Sequence, residues 1–229
     1  MSNDLKALYE RIPRDGNVLD IGCYGFSQVK LSNKIGNMSK LKHFGVDYND
    51  YTEVPEGFIF RRADLNKQLI PFNDDQFDLV VASHIIEHLV NPVEFFGDCI
   101  RVCKPGGFVH FEAPSERSLI LPGMPFDYDK FFSTSFFDDP THVFRPWTPQ
   151  SFYRLAKYYQ CEPVCTGYRV SWKYRLLFPF ILTYALLTKN GKTLEAAVWG
   201  AFGWASYLSL RKPLELRGKP PFNYYIPNR

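Results

Sequence analysis

The sequence has little of what usually settles a function class at sight. Its 229 residues hold five cysteines, Cys23, Cys99, Cys103, Cys161 and Cys165. An odd number without C-x-x-C spacing indicates neither a disulfide framework nor a zinc site, and no metal is expected from it. Cys99 and Cys103, one helical turn apart, read as small buried hydrophobes. No apolar run reaches the roughly 18 residues that suggest a membrane-spanning helix. The opening Met-Ser-Asn-Asp-Leu-Lys has no apolar signal region, so a reducing cytoplasm is the expected location. Strong charge of one sign is missing too: the net charge is +3, and no basic-aromatic groove argues for nucleic acid. The nicotinamide fingerprint G-x-G-x-x-G is also not met, because Gly22 and Gly25 are two residues apart and Phe26 and Ser27 follow.

What is present is an ordinary globular composition, 45% apolar and 17% aromatic, enough for one domain with an elaboration. Charge is unevenly placed. From Tyr168 onward ten Lys and Arg face only Glu195 and Glu215, so a basic C-terminal quarter follows an acidic body. Either a solvated basic face or an anionic partner, lipid headgroups or a phosphorylated substrate, accounts for it.

The most informative stretch is Asn17–Ser27. Val18, Leu19 and Ile21 read as a short buried strand, and Gly22 and Gly25 make a turn after it that lets a ligand approach bare backbone. Asp20 within that strand is costly unless paired, and a cationic amino group would pair with it. A helix cap is the plainer reading. His43–Asp47 and Phe58–Asp64 offer two further strands closing on acids. Asp47, 27 positions after Asp20, suits one strand-helix-strand unit and can accept two ribose hydroxyls; a turn-forming Asp is the alternative. Leu79–Ala82 reads as a fourth strand, Val93–Cys103 as a helix by its spacing, and Phe108–Glu112 as a fifth strand. Strands alternating with helices imply a parallel sheet, with the ligand at the strands' carboxyl ends.

Asp20-Ile-Gly-Cys-Tyr-Gly25 resembles the first motif of the class I S-adenosylmethionine-dependent methyltransferases, with Tyr24 where the family most often has its second glycine. Phe77-Asp-Leu-Val80, Glu87-His-Leu89, Arg101–Gly107 and Asp139-Pro-Thr-His-Val-Phe-Arg-Pro-Trp-Thr148 resemble further motifs of the small-molecule branch, and Phe144 is an extra residue in the last. The resemblance covers roughly residues 15–165 and implies an α/β fold: a Rossmann-like, seven-stranded, mostly parallel sheet with its last strand antiparallel. It also implies S-adenosylmethionine as cofactor. Asp20, Gly22, Cys23 and Gly25 would then hold the methionine portion, Asp47 with Tyr48 the ribose, and Asp64 with Leu65 the adenine. Ser83 and His84 would line the other side. His142 is the first candidate for a base that deprotonates the acceptor and Glu112 the second, with Arg145 and His142 facing the acceptor. His88 and His110 read as packing residues.

Residues 118–147 form an irregular aromatic stretch expected to act as a lid. Thr148-Pro149 begins a capped helix, and Cys161–Val170 is the sixth strand. The core is thus expected over 1–175. Residues 176–229 form an apolar, basic elaboration: two helices joined at Lys189-Asn-Gly191, then a last strand at Phe222–Ile226. The helices either pack on the sheet or make peripheral membrane contact through 176–210 at the membrane's inner face. The acceptor is expected to be a small or medium-sized molecule methylated on O or N, its charge and apolarity suiting a phosphorylated or lipid-linked glycan. A degenerate domain acting as a binding or membrane-surface module is the rival, and a nicotinamide dehydrogenase the weaker one.

Overall fold

A computed structural model of the chain describes residues 3–35, 40–121 and 136–215. In chain order the elements are α1 (Asn3–Tyr9), β1 (Asn17–Ile21), α2 (Ser27–Ile35), β2 (Lys42–Asp47), β3 (Ile59–Arg62), β4 (Phe77–Ser83), α3 (Pro92–Val102) and β5 (Cys103–Pro114). They continue with α4 (Pro149–Tyr158), β6 (Glu162–Tyr168), α5 (Trp172–Thr188), α6 (Gly191–Phe202) and β7 (Ala205–Arg211). The strands form one seven-stranded sheet in the order β3-β2-β1-β4-β5-β7-β6. β1 to β5 pair in parallel, and β7 runs against both β5 and β6.

β4, Phe-Asp-Leu-Val-Val-Ala-Ser, is buried along all but its last residue, because it lies mid-sheet with helices on both faces. Phe95, Phe96, Cys99 and Ile100 of α3 cover one face, with Phe96 stacked on Phe111 at 4.2 Å between ring centres. Leu5, Leu8 and Tyr9 of α1 cover the other with Val18, Leu79 and Val81. Each such apolar side chain contributes about 1.5–3 kcal/mol by leaving water. The strand order reverses between β1 and β4, and there the carboxyl ends leave a crevice.

Thr148 and Ser151 form a reciprocal capping box at the start of α4, as the sequence suggests. The second of the two helices expected after Lys189-Asn-Gly191 is shorter than the sequence suggests. α6 ends at Phe202, Gly203 takes φ +76° in the left-handed region that only glycine enters freely, and the next residues run as β7. A segment buried on both sides carries neither a helical nor an alternating pattern, so its apolarity could not tell strand from helix. The antiparallel place is therefore taken by β7, and the residues expected to elaborate the core supply one of its strands. Phe222–Ile226 and residues 122–135 of the lid lie outside the described residues.

α5 packs on α6 through Ala185, Leu194 and Val198. Its other side is an open stripe at helical spacing, Trp172, Leu176, Phe180, Tyr184 and Leu187, each more than half exposed. Among the described residues no helix is long and apolar enough to cross a membrane.

Candidate cofactor and acceptor site

The carboxyl ends of β1, β2 and β3 open on a cleft of about 320 Å³, within the ~300–1,000 Å³ range of small-molecule sites. Gly22, Asp47, Tyr48, Asp64 and Leu65 line it, joined by Ile85 and His88 from the loop after β4. Gly22 follows β1 directly at φ +72°, and a Cβ there would sit 3.4 Å from Ile85, so any larger residue would be strained and would enter the cleft. The Asp47 carboxylate is aimed by its own loop: Oδ1 accepts from the Asn49 amide at 2.9 Å and Oδ2 from the Tyr51 hydroxyl at 2.9 Å. The Asn49 side-chain amide adds a longer bond to Oδ1 at 3.3 Å; a carboxylate offers about four lone-pair positions, so one is open to a ligand's hydroxyl and a second opens when that long bond is given up.

Asp20, on β1 two residues before Gly22, is 4% exposed. Its Oδ2 has no hydrogen-bond partner among the described residues. Burial is the main cause that raises its carboxyl to about 8, opposed by the Gln28 amide and reinforced by Asp47. Such an orphaned buried oxygen fits a ligand carrying an ammonium group, and with Gly22 and Asp47 the residues present fit an amino-acid nucleoside such as S-adenosylmethionine. Cys23 is fully buried behind the loop with its thiol pushed up to about 12, chiefly by burial, and Tyr24 points into solvent. Neither lines the cleft.

The other half of the crevice is built by β4, β5 and the Asp139–Thr148 segment. His84, at φ +54°, lies 3.4 Å from Glu87 and 3.6 Å from Glu112. Burial disfavours its charge, but the two carboxylates outweigh burial and raise it to about 10, so it is an imidazolium at neutral pH. Glu112 is itself held by Arg169, which also pairs with Asp4. Burial would raise Glu112; the neighbouring His110, His84 and Arg169 prevail and hold it well below the usual range. Its position therefore suits a fixed anion rather than a base. Ser83 ends β4 opposite Glu112, and neither Ser83 nor His84 reaches the lining of the cleft. His110 is a core residue as expected, fully buried with Nδ1 2.8 Å from the Ser209 hydroxyl.

His142 lines a second pocket of about 430 Å³ together with Phe136, Asp139 and Arg145. Arg145 also faces a groove of about 580 Å³ with Trp147, Ser151 and Arg154. His88, expected as a packing residue, instead lines the first cleft, and its ring lies 4.8 Å from that of His142, joining the two spaces. The only hint in the sequence was its place in Glu-His-Leu; the partner is 54 positions away.

The methyltransferase-domain family profile matches residues 19–111. The chain is 30% identical over 113 residues to a protein of Mycolicibacterium smegmatis named as a probable S-adenosylmethionine-dependent methyltransferase, over 47% of this chain and 41% of that one. It is 31% identical over 121 residues to a ubiquinone biosynthesis O-methyltransferase of Caulobacter vibrioides, over 48% and 45%. These matches span less than half the length of the curated relatives. In structure, an S-adenosylmethionine-dependent methyltransferase of Mesorhizobium loti superposes with a TM-score of 0.60 over 92% of this chain and 98% of that one, at 17% identity. Residues 19–111 thus match a methyltransferase domain, and the strand order with its reversed β7 gives the chain the fold of this S-adenosylmethionine-dependent methyltransferase.

Proposed function

We propose that the chain transfers a methyl group from S-adenosylmethionine to an oxygen or nitrogen of a small or medium-sized acceptor. The observation that carries this is Asp47 and Gly22 lining one cleft, with the orphaned Asp20 oxygen two residues before Gly22 and electrostatically coupled to Asp47. When bound, the cofactor supplies an electrophilic methyl on a sulfonium. In this reading Asp47 holds the ribose, Asp64 and Leu65 the adenine end, and Asp20 the ammonium. Cys23 and Gly25 act by shaping the loop, and Ser83 and His84 by closing the other side. Most of the acceleration comes from holding donor and acceptor at near-attack distance, ~7–11 kcal/mol of the barrier. With Glu112 committed to Arg169 and His84 protonated, His142 takes the acceptor's proton, and Arg145 orients an anionic group on it.

The basic C-terminal quarter and the α5 stripe favour an acceptor that is phosphorylated or lipid-linked, a glycan on a carrier being one form. Trp172, Leu176, Phe180 and Tyr184 would lie in a membrane interface with Lys173, Arg175 and Lys189 at the headgroups. That stripe also supports a second reading, a domain that uses its methyltransferase fold for surface attachment only. Incubation with methyl-labelled cofactor and fractionated cell extract separates them: label in a water-soluble or lipid fraction, lost in Asp47→Ala, supports transfer, and no transfer to any fraction sinks it.

A further inference from the structure

The geometry points to a site for a first-row divalent cation, Zn²⁺ being the best match, held by Glu87, His88 and His142 where the two pockets meet. One ligating atom from each of the three lies within 4.8 Å of the others. Glu87 is 1% exposed, and its Oε2 has no hydrogen-bond partner among the described residues, an expensive arrangement for a buried carboxylate. His84 occupies the other oxygen, Oε1, at 3.4 Å.

Both imidazoles are set up as ligands. His142 Nδ1 lies 2.7 Å from the Phe136 carbonyl, and His88 Nδ1 lies 2.9 Å from the Thr141 hydroxyl, whose own proton goes to Asp139, and 3.2 Å from the Thr141 carbonyl. A carbonyl can only accept, so in each neutral ring Nδ1 carries the proton and Nε2 keeps its lone pair. An N–H donated to a backbone carbonyl is the usual outer support of a metal-bound histidine.

The backbone also fixes the pieces against each other. Glu87 and His88 share one 3-10 turn, Ile86–His88. The Glu87 carbonyl accepts from the amides of Val143 and Phe144 at 3.1 and 3.2 Å, which brings His142 over that turn. Asp139 Oδ2 lies 3.7 Å from His142 Nε2, a second carboxylate beside that ring. Two imidazoles and a carboxylate suit Zn²⁺ and related ions better than Mg²⁺ or Ca²⁺. Zn–ligand bonds near 2.0–2.2 Å put tetrahedral ligands roughly 3.3 Å apart, so the set must close by about 1.5 Å at most, a side-chain rotation.

The chemical consequence rests on the proposed function; the binding does not. A cation here would take the His142 lone pair and replace proton removal by the ring with polarisation of an acceptor hydroxyl, which lowers its pKa so that its proton passes to solvent water. It would also favour an acceptor with a second oxygen donor, a neighbouring hydroxyl or a phosphate.

The test uses the full chain after chelator treatment, titrated with Zn²⁺ alone by calorimetry and with Co²⁺ followed by visible absorption. One equivalent is expected to bind at micromolar concentration or tighter, with His142→Ala and His88→Ala each weaker by about 10–100-fold or more. Glu87→Gln gives the third arm, and melting temperatures of the metal-free variants show whether each is folded. Absence of binding, or binding equally tight in both histidine variants, overturns the site. S-adenosylhomocysteine binding measured on the same samples reports on the methyltransferase reading separately.

Discussion

The two halves of the crevice are made in opposite ways. On the β1-β2-β3 side, every key group comes from a strand end or the turn directly after it, and local chain chemistry aims each one: Asn49 and Tyr51 hold Asp47 from within four residues. On the β4-β5 side, the groups meet over long sequence distances: Glu87 with the amides of Val143 and Phe144, and Glu112 with Arg169, 57 residues on. A rigid, locally coded half suits an invariant ligand, and a half assembled from distant segments can be altered to suit different acceptors. If this division is right, substitutions on one side leave the other side's property intact.

The largest expected effect is on the assembled side. His142→Ala should lower turnover with saturating acceptor by about 10²–10⁴-fold, the usual worth of a positioned acid-base group, while cofactor affinity stays as it was. Full turnover in this variant would remove His142 from proton transfer, with or without a metal.

A smaller effect sharpens the local side. Asp20 is raised from 3.8 to about 8, so folding of the unliganded chain takes up a proton. The stability tied to that proton is complete below about pH 4 and is lost as pH rises through 8. Asp20→Asn should therefore raise the melting temperature of the free protein at pH 8 relative to wild type, and less so at pH 5. A cationic ligand group needs Asp20 ionised, so wild-type affinity for S-adenosylhomocysteine should climb by about tenfold per pH unit between 6 and 7, with proton release on binding. A flat profile would contradict the ammonium assignment.

Thr148→Ala removes the cap of α4 and should cost about 1 kcal/mol in chemical denaturation, measured without any change in cofactor affinity. The smallest effect on stability belongs to α5. Leu176→Ser with Phe180→Ser touches only exposed positions and should leave stability within about 0.5 kcal/mol, yet abolish retention on anionic vesicles. Unchanged retention would return the stripe to an ordinary surface. Point changes are the cleaner probe, since deletion of 176–210 would excise most of β7.

This division also explains how much was legible beforehand. The first five strands and the glycine turn are legible because period, turn chemistry and spacing are local signals, and Asp47, Asp64 and Leu65 line a cleft at those strand ends. His88 was misjudged because nothing near it in sequence shows that His142 arrives beside it. Glu112 reads as a second candidate base because Arg169, which pairs with it, follows β6 with no pattern linking the two. β7 was hidden because a strand covered on both sides has no alternation to display.

The most direct test is the affinity for S-adenosylhomocysteine of Asp47→Ala set beside that of His142→Ala, by calorimetry at one pH. Two hydrogen bonds to a charged carboxylate are worth about 1.5–3 kcal/mol each, so Asp47→Ala should bind roughly 100-fold more weakly or not at all, with His142→Ala within about twofold of wild type. Equal binding by wild type and Asp47→Ala, or no binding by a folded wild-type chain, would contradict the cofactor site and with it the division of the crevice.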